Sequence, residues 1–301
     1  MSRRNLIDFT WGHANAGGQH DWPFVMALQQ GFFLDEGINL QIRVVSGGDA
    51  LAAAMGRGEI QLGRMGTPPF LTAVGNGVLA GRIVASSVIH NLEHFVLVVR
   101  PEIETLRQLR GKTIGVLSRG SCDGHLLKLQ LKRSGLDPDN DVSYRELRED
   151  FFTIDGLVSG ELSAQLSCEP LVSLGEHAGV LRVAEPVSRV APKFHWGLLV
   201  ARDDFIAERP DLLRRLLSAY LKGARFCVDH PDETRAMVCD YMPDYAPEVV
   251  AQAVARALPI WNTSGQVDIE GLNVAVDTMR TLGAIEQPLN AESLVDLGAL
   301  S

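Results

Sequence analysis

Two rhythms of apolar and polar positions run along the chain. Short apolar stretches, alternating or continuous, read as strands; longer stretches with apolar residues three and four apart read as helices. Residues 5–12 are a buried strand, followed by the polar loop 13–21. Asp21 reads as a helix cap, with Pro23 in the first turn and Phe24, Val25 and Leu28 on one face before Gly31. Residues 38–45 alternate as a strand. Asp49 caps a short Ala-rich helix, residues 60–66 form the next strand, and Thr67 caps a helix with Pro68 at its first position. Apolar runs at 81–90 and 94–100 are two further strands.

After Arg100 the pattern restarts. Residues 112–117 form a strand, 118–124 a turn, and 125–135 an amphipathic helix ended by Gly135. Strands at 141–147, 162–170 and 180–185 alternate with helices at 151–160 and 171–179. Strands alternating with helices predict mainly parallel sheets flanked by helices, and the unit occurs twice. Residues 196–206 resemble 94–100 in pattern, and both read as crossover strands between two lobes. The rest is helical, with Leu212, Leu213, Leu216, Leu217 and Tyr220 on one face of a long helix. The expected division is 1–97 plus 199–301 in lobe 1 and 98–198 in lobe 2, with a ligand cleft between them.

Composition narrows the function classes. The 301 residues carry a formal charge of -9, so the basic footprint needed for nucleic acid is missing. Four cysteines form no CxxC pair, which argues against a disulfide framework or a zinc site, and no metal or cofactor is expected. Residues 1–18 hold two arginines without a following apolar core. As written the chain is therefore expected in the cytoplasm, or in the periplasm if a leader has been removed.

The stretches "ALQQGFFLDEGINLQIRVVSGGDALAAAMGRGEIQLGRMG", "LRQLRGKTIGVLSRGS", "LVSGELSAQLSCEP" and "FIAERPDLLRRLLSAYLKGARFCVDHPDE" resemble, in order and spacing, the SsuA/TauA/NMT1-THI5-like solute-binding proteins. The resemblance implies a type II periplasmic-binding-protein fold, two α/β lobes closing on a ligand like a hinged clamp. It implies a receptor for sulfonates, carboxylates or pyrimidine-like molecules, with an ABC permease as partner. It also covers enzymes: pyrimidine-precursor synthases, whose Cys-rich iron-binding motif is missing here, and a desulfinase, whose nucleophilic Cys after the first strand has no counterpart.

Ligands of open α/β sheets sit beyond the carboxyl ends of strands. That rule selects Trp11, His13, Trp22, Gly47, Gly48, Arg64, Thr67, His90, Ser118, Arg119, Ser121, Glu169, His195 and Trp196 as ligand-binding candidates. Ser46-Gly47-Gly48 offers backbone N–H groups at a helix start, suited to an anion, or is simply a flexible turn. Arg64, on an apolar strand, requires a carboxylate-like partner, internal or bound. Its setting, Arg-x-Gly before a Pro, is similar to the anion-holding stretch of the desulfinase. Trp22 and Trp196 are expected to wall the cleft against a flat ligand. For an enzyme on the same fold, a lyase, desulfinase-like protein or hydrolase, the chemistry falls to His13, His20, His90, His94, His195 and Cys122. Cys122 is then a nucleophile in the first turn of a helix, or otherwise a small filler.

Overall fold

The computed structural model describes residues 6–89 and 95–300. In chain order the strands are β1 (Ile7–Ala14), β2 (Ile38–Val45), β3 (Leu62–Gly66), β4 (Gly81–Ser86), β5 (Val96–Val99), β6 (Thr113–Val116), β7 (Ser143–Glu146), β8 (Ala164–Ser167), β9 (Arg182–Pro186) and β10 (Gly197–Arg202). The first helices are α1 (Trp22–Gln29), α2 (Phe32–Asp35), α3 (Gly48–Gly56), α4 (Thr67–Gly75), α5 (Cys122–Arg133), α6 (Asp155–Ser159) and α7 (Leu171–His177). Then follow α8 (Asp203–Glu208), α9 (Pro210–Asp229), α10 (Pro231–Tyr241), α11 (Pro247–Ala257) and α12 (Ile269–Thr281).

The strands form two five-stranded sheets, ordered β2-β1-β3-β10-β4 and β7-β6-β8-β5-β9. In the first, β1 runs parallel to β2 and β3; in the second, β6 runs parallel to β7 and β8. The fold is therefore the two-lobed α/β arrangement expected, with one departure. Each sheet contains a reversed strand: β10 is antiparallel to β3 and β4, and β5 is antiparallel to β8 and β9. The reason is directional. The βα strands of each lobe point their carboxyl ends at the cleft. A segment arriving from the other lobe enters its sheet from that same end and runs away from it. The two crossovers are thus the stretches before Val96 and before Gly197, and the expected divisions at 97/98 and 198/199 fall inside β5 and β10.

Alternation places the functional strand residues. Along β1, Phe9 and Trp11 face the cluster built on α9, while Gly12 faces α3, where a Cβ would meet Leu51 Cδ1 at 2.5 Å. Helix α9 buries Leu212, Leu213, Leu216, Leu217 and Tyr220 against this sheet and α1. At Gly223 the two helices touch so closely that an added Cβ would lie 2.3 Å from the Pro23 carbonyl oxygen. The C-terminal helices close a separate cluster around Trp22, Met26, Val250 and Trp261. Among the described residues no helix is long and apolar enough to cross a membrane.

Candidate functional site

One hollow of about 640 Å3, counting its open mouth, lies between the strand ends of the two sheets. From the first lobe come Asn15, Asp21, Gly48, Arg64 and Pro69; from the second come Leu117, Ser121, Asp123, Phe151 and Phe152; Phe95 and Trp196 come from the crossovers. Its charged end is built by register. His13 on β1 and Arg64 on β3 are direct partners in the parallel ladder, so their side chains stand together on one face. Asp21, at the start of α1, lies across them, with His13 Nε2 2.5 Å from Asp21 Oδ1. Asp21 Oδ2 accepts the Gly17 N–H at 2.6 Å.

Burial alone would raise the Asp21 pKa. The pull of His13 and Arg64 and the Gly17 N–H outweigh it and hold the carboxyl below its ordinary value. Arg64, 6% exposed, thus has an internal carboxylate nearby. The expected capping role of Asp21 is corrected: it occupies the cap position but makes no side-chain cap bond, because both its oxygens are turned to the loop and to His13.

The opposite wall is the turn before α5. Ser121 Oγ lies 2.5 Å from the Ser118 carbonyl oxygen and also within reach of Asp123 Oδ1, so its one proton serves one of them at a time. Asp123 Oδ2 accepts the Leu117 N–H at 2.6 Å. Burial pushes the Asp123 carboxyl up to about 6, against the hydrogen bonds that favour its charge. The sides are aromatic. His20 stacks on Phe95 with centroids 5.6 Å apart, and Phe95 stacks on Trp196 at 4.9 Å. Phe151 and Phe152 meet edge to face at 5.2 Å.

Of the sequence candidates, His20, Gly48, Arg64, Ser121 and Trp196 line the hollow, and His13 stands directly behind Asp21. The others lie elsewhere for identifiable reasons. Trp11 is sealed in the core against Phe24, Phe33 and Tyr220, because it shares the face of β1 with His13 but lies two residues further from the carboxyl end of the strand. Trp22 packs edge-on to Trp261 in the helical cluster, 6.1 Å between centroids. The Gly47 N–H is already directed to Asn15 Oδ1 at 2.9 Å and to the Val45 carbonyl at 3.0 Å. Thr67 donates both its N–H and its hydroxyl to the Trp196 carbonyl, pinning α4 to a crossover. Ser118 is buried beneath the turn, with its backbone groups on Ser121 Oγ. Arg119 points to solvent over the Tyr144 ring. Glu169 receives the Ser173 N–H and Arg256, and the His195 N–H bonds the Gly271 carbonyl.

His90, His94 and the Cys122 side chain lie outside the described residues. Cys168 is buried, and desolvation raises its thiol pKa, so it has none of the thiolate character a nucleophile requires. Among the described residues no group of three or more His, Cys, Asp and Glu side chains is placed to hold a metal ion.

Asn15, Asp21 and Asp123 fall in the loop and turn that follow β1 and β6, which the strand-end rule selects, but were not named as ligand contacts; Phe95, Phe151 and Phe152, read as strand or helix positions, were missed. Asn15 takes a left-handed loop conformation, φ 63°, that Asn tolerates well.

Comparison with known proteins adds family and fold. A sequence profile of the NMT1/THI5-like family matches residues 19–234. A binding protein of Brucella abortus is 23% identical over 211 residues, which span 69% of this chain and 64% of that protein's length. The alkanesulfonate-binding protein SsuA from Xanthomonas axonopodis pv. citri, solved bound to MOPS, superposes with a TM-score of 0.80 at 17% identity, covering 97% of this chain and 99% of that one. The periplasmic nitrate-binding protein NrtA from Synechocystis superposes with a TM-score of 0.77 at 13% identity, covering 97% and 85%.

Proposed function

Because this chain belongs to the NMT1/THI5-like family, we propose that it is a solute-binding protein of an ABC-type import system. It closes two lobes on a small organic acid. The observation that carries this reading is the single hollow in which Arg64 of one lobe faces Ser121 of the other, with stacked aromatic rings between. Arg64 grips the acid group and Ser121 contributes a hydroxyl. Trp196 and Phe95 support the body of the ligand. The lobes are 1–95 plus 197–301 and 96–196, following sheet membership. The partner is an ABC permease. The working compartment is the periplasm, as for the relatives so named, and cell fractionation tests that placement.

Catalysis on the same fold is not favoured. The buried Cys168 thiol is pushed away from reactivity, and the relatives are named for binding. A thermal-shift screen of small organic acids, followed by mass analysis of each bound hit, separates the readings. Recovery of an unchanged acid, with the shift lost in Arg64→Met, supports a receptor. Recovery of a converted molecule overturns it.

A further inference from the structure

The charges in the hollow do not suit a simple anion. Arg64 is opposed by Asp21 across the register pair, and His13 Nε2 lies 2.5 Å from Asp21 Oδ1. Arg64 is the one described residue of fixed positive charge lining the hollow, and two carboxylates, Asp21 and Asp123, outnumber it. A monoanion placed at Arg64 therefore leaves the enclosed space negative, a costly state at low dielectric.

Among the described residues, Asp123 is the carboxylate of the hollow without a cationic partner. It is 2% exposed and lines the hollow. Everything that stabilises its negative charge is neutral: the Ser121 hydroxyl and the N–H groups of Leu117, of Asp123 itself and of Gly124. Its value of about 6 leaves it mostly ionised at neutral pH. A carboxylate has about four acceptor positions and these are four donors, so a position opens for a ligand N–H when the Ser121 proton turns to the Ser118 carbonyl. The walls between Arg64 and Asp123 are Phe95, Trp196, Phe151 and Phe152, flat surfaces suited to a ring.

We infer that the ligand is an aromatic ampholyte, carrying an acid group for Arg64 and an amine or comparable N–H donor for Asp123. This rests on the receptor reading above and names the chemistry of its ligand. Asp123 is then the specificity-determining residue, rejecting acids that leave it unpaired.

Isothermal titration at about pH 7.5, where a benzylic amine is charged and Asp123 ionised, with 4-(aminomethyl)benzoate, 4-methylbenzoate and 4-methylbenzylamine tests this. The ampholyte is expected to bind roughly tenfold or more tighter than either partner lacking one group. Asp123→Asn is expected to close the gap between ampholyte and methylbenzoate. Equal or tighter binding of methylbenzoate overturns the inference and leaves the receptor reading standing. Equal binding of the amine alone, or no binding by any of the three, overturns both. Should Asp123→Asn fail to unfold cooperatively, the ranking of the three probes on the unmodified protein decides alone.

Discussion

Asp21 and Asp123 line one hollow yet titrate in opposite directions. Desolvation acts on both, but only Asp21 has cationic neighbours to overcome it. The consequences for stability have opposite signs. The Asp123 pKa rises from 3.8 to about 6, so its contribution is full below the unfolded value and is lost as pH climbs through about 6. The loss is about 3 kcal/mol for a shift of about two units. The melting temperature of Asp123→Asn relative to the unmodified protein is therefore expected to rise between about pH 4 and 7. A difference that stays flat across that window contradicts the burial of an uncompensated charge. Asp21, with a lowered pKa, stabilises above 3.8 and loses that contribution as pH falls through its native value. Sequence reading found Arg64, because a guanidinium on an apolar strand stands out. It read Asp21 as a cap, because Asp before Trp-Pro is what a cap looks like; that its side chain turns back to His13 follows from sheet register, which no local pattern encodes.

At the scale of elements, most strands and helices were legible from periodicity, including the amphipathic α9, whereas Asp49 and Thr67, read as caps, lie inside α3 and α4, whose cap positions are Gly47 and Gly66. The stretch 151–160 was not. Its leading Phe-Phe pair looked like the apolar face of one helix, but it ends a 3-10 turn (Arg148–Phe152) ahead of the short α6, which directs Phe151 and Phe152 to the hollow. The reversed strands β5 and β10 were recognised as crossovers from their continuous apolar character, though not as members of the sheets they enter. Contact between α1 and α9 governs where Asp21 sits, since α1 begins next to it. Gly223→Val would drive a side chain into the Pro23 carbonyl and Ala27. A loss of roughly 1–3 kcal/mol is expected, with weaker acid binding as α1 shifts. Denaturant unfolding and titration measure both, and unchanged values would show that the helices part freely.

Across the whole molecule the two lobes are joined by more than the crossovers. Arg256 of α11 reaches Glu169 at 3.1 Å and Glu176 at 2.8 Å, both on the second lobe, and Gln252 bonds Glu176 at 3.1 Å. Gln19 and Glu169 exchange backbone and side-chain bonds across the same gap. The Arg256 side chain is 42% exposed, so screening limits each pair to roughly 0.5–1 kcal/mol. Arg256→Met is expected to weaken ligand binding roughly two- to fivefold and to flatten its dependence on salt. An unchanged affinity and salt slope would remove α11 from the closing surface. The stacking of the two crossovers has a separate consequence. Phe95 and Trp196 precede β5 and β10 and their rings lie 4.9 Å apart, so the second lobe leaves and rejoins the chain at almost the same point. It is threaded in like a bead on a doubled string, and a short bridge of glycines across that gap would let it be excised as a cassette and grafted into another host.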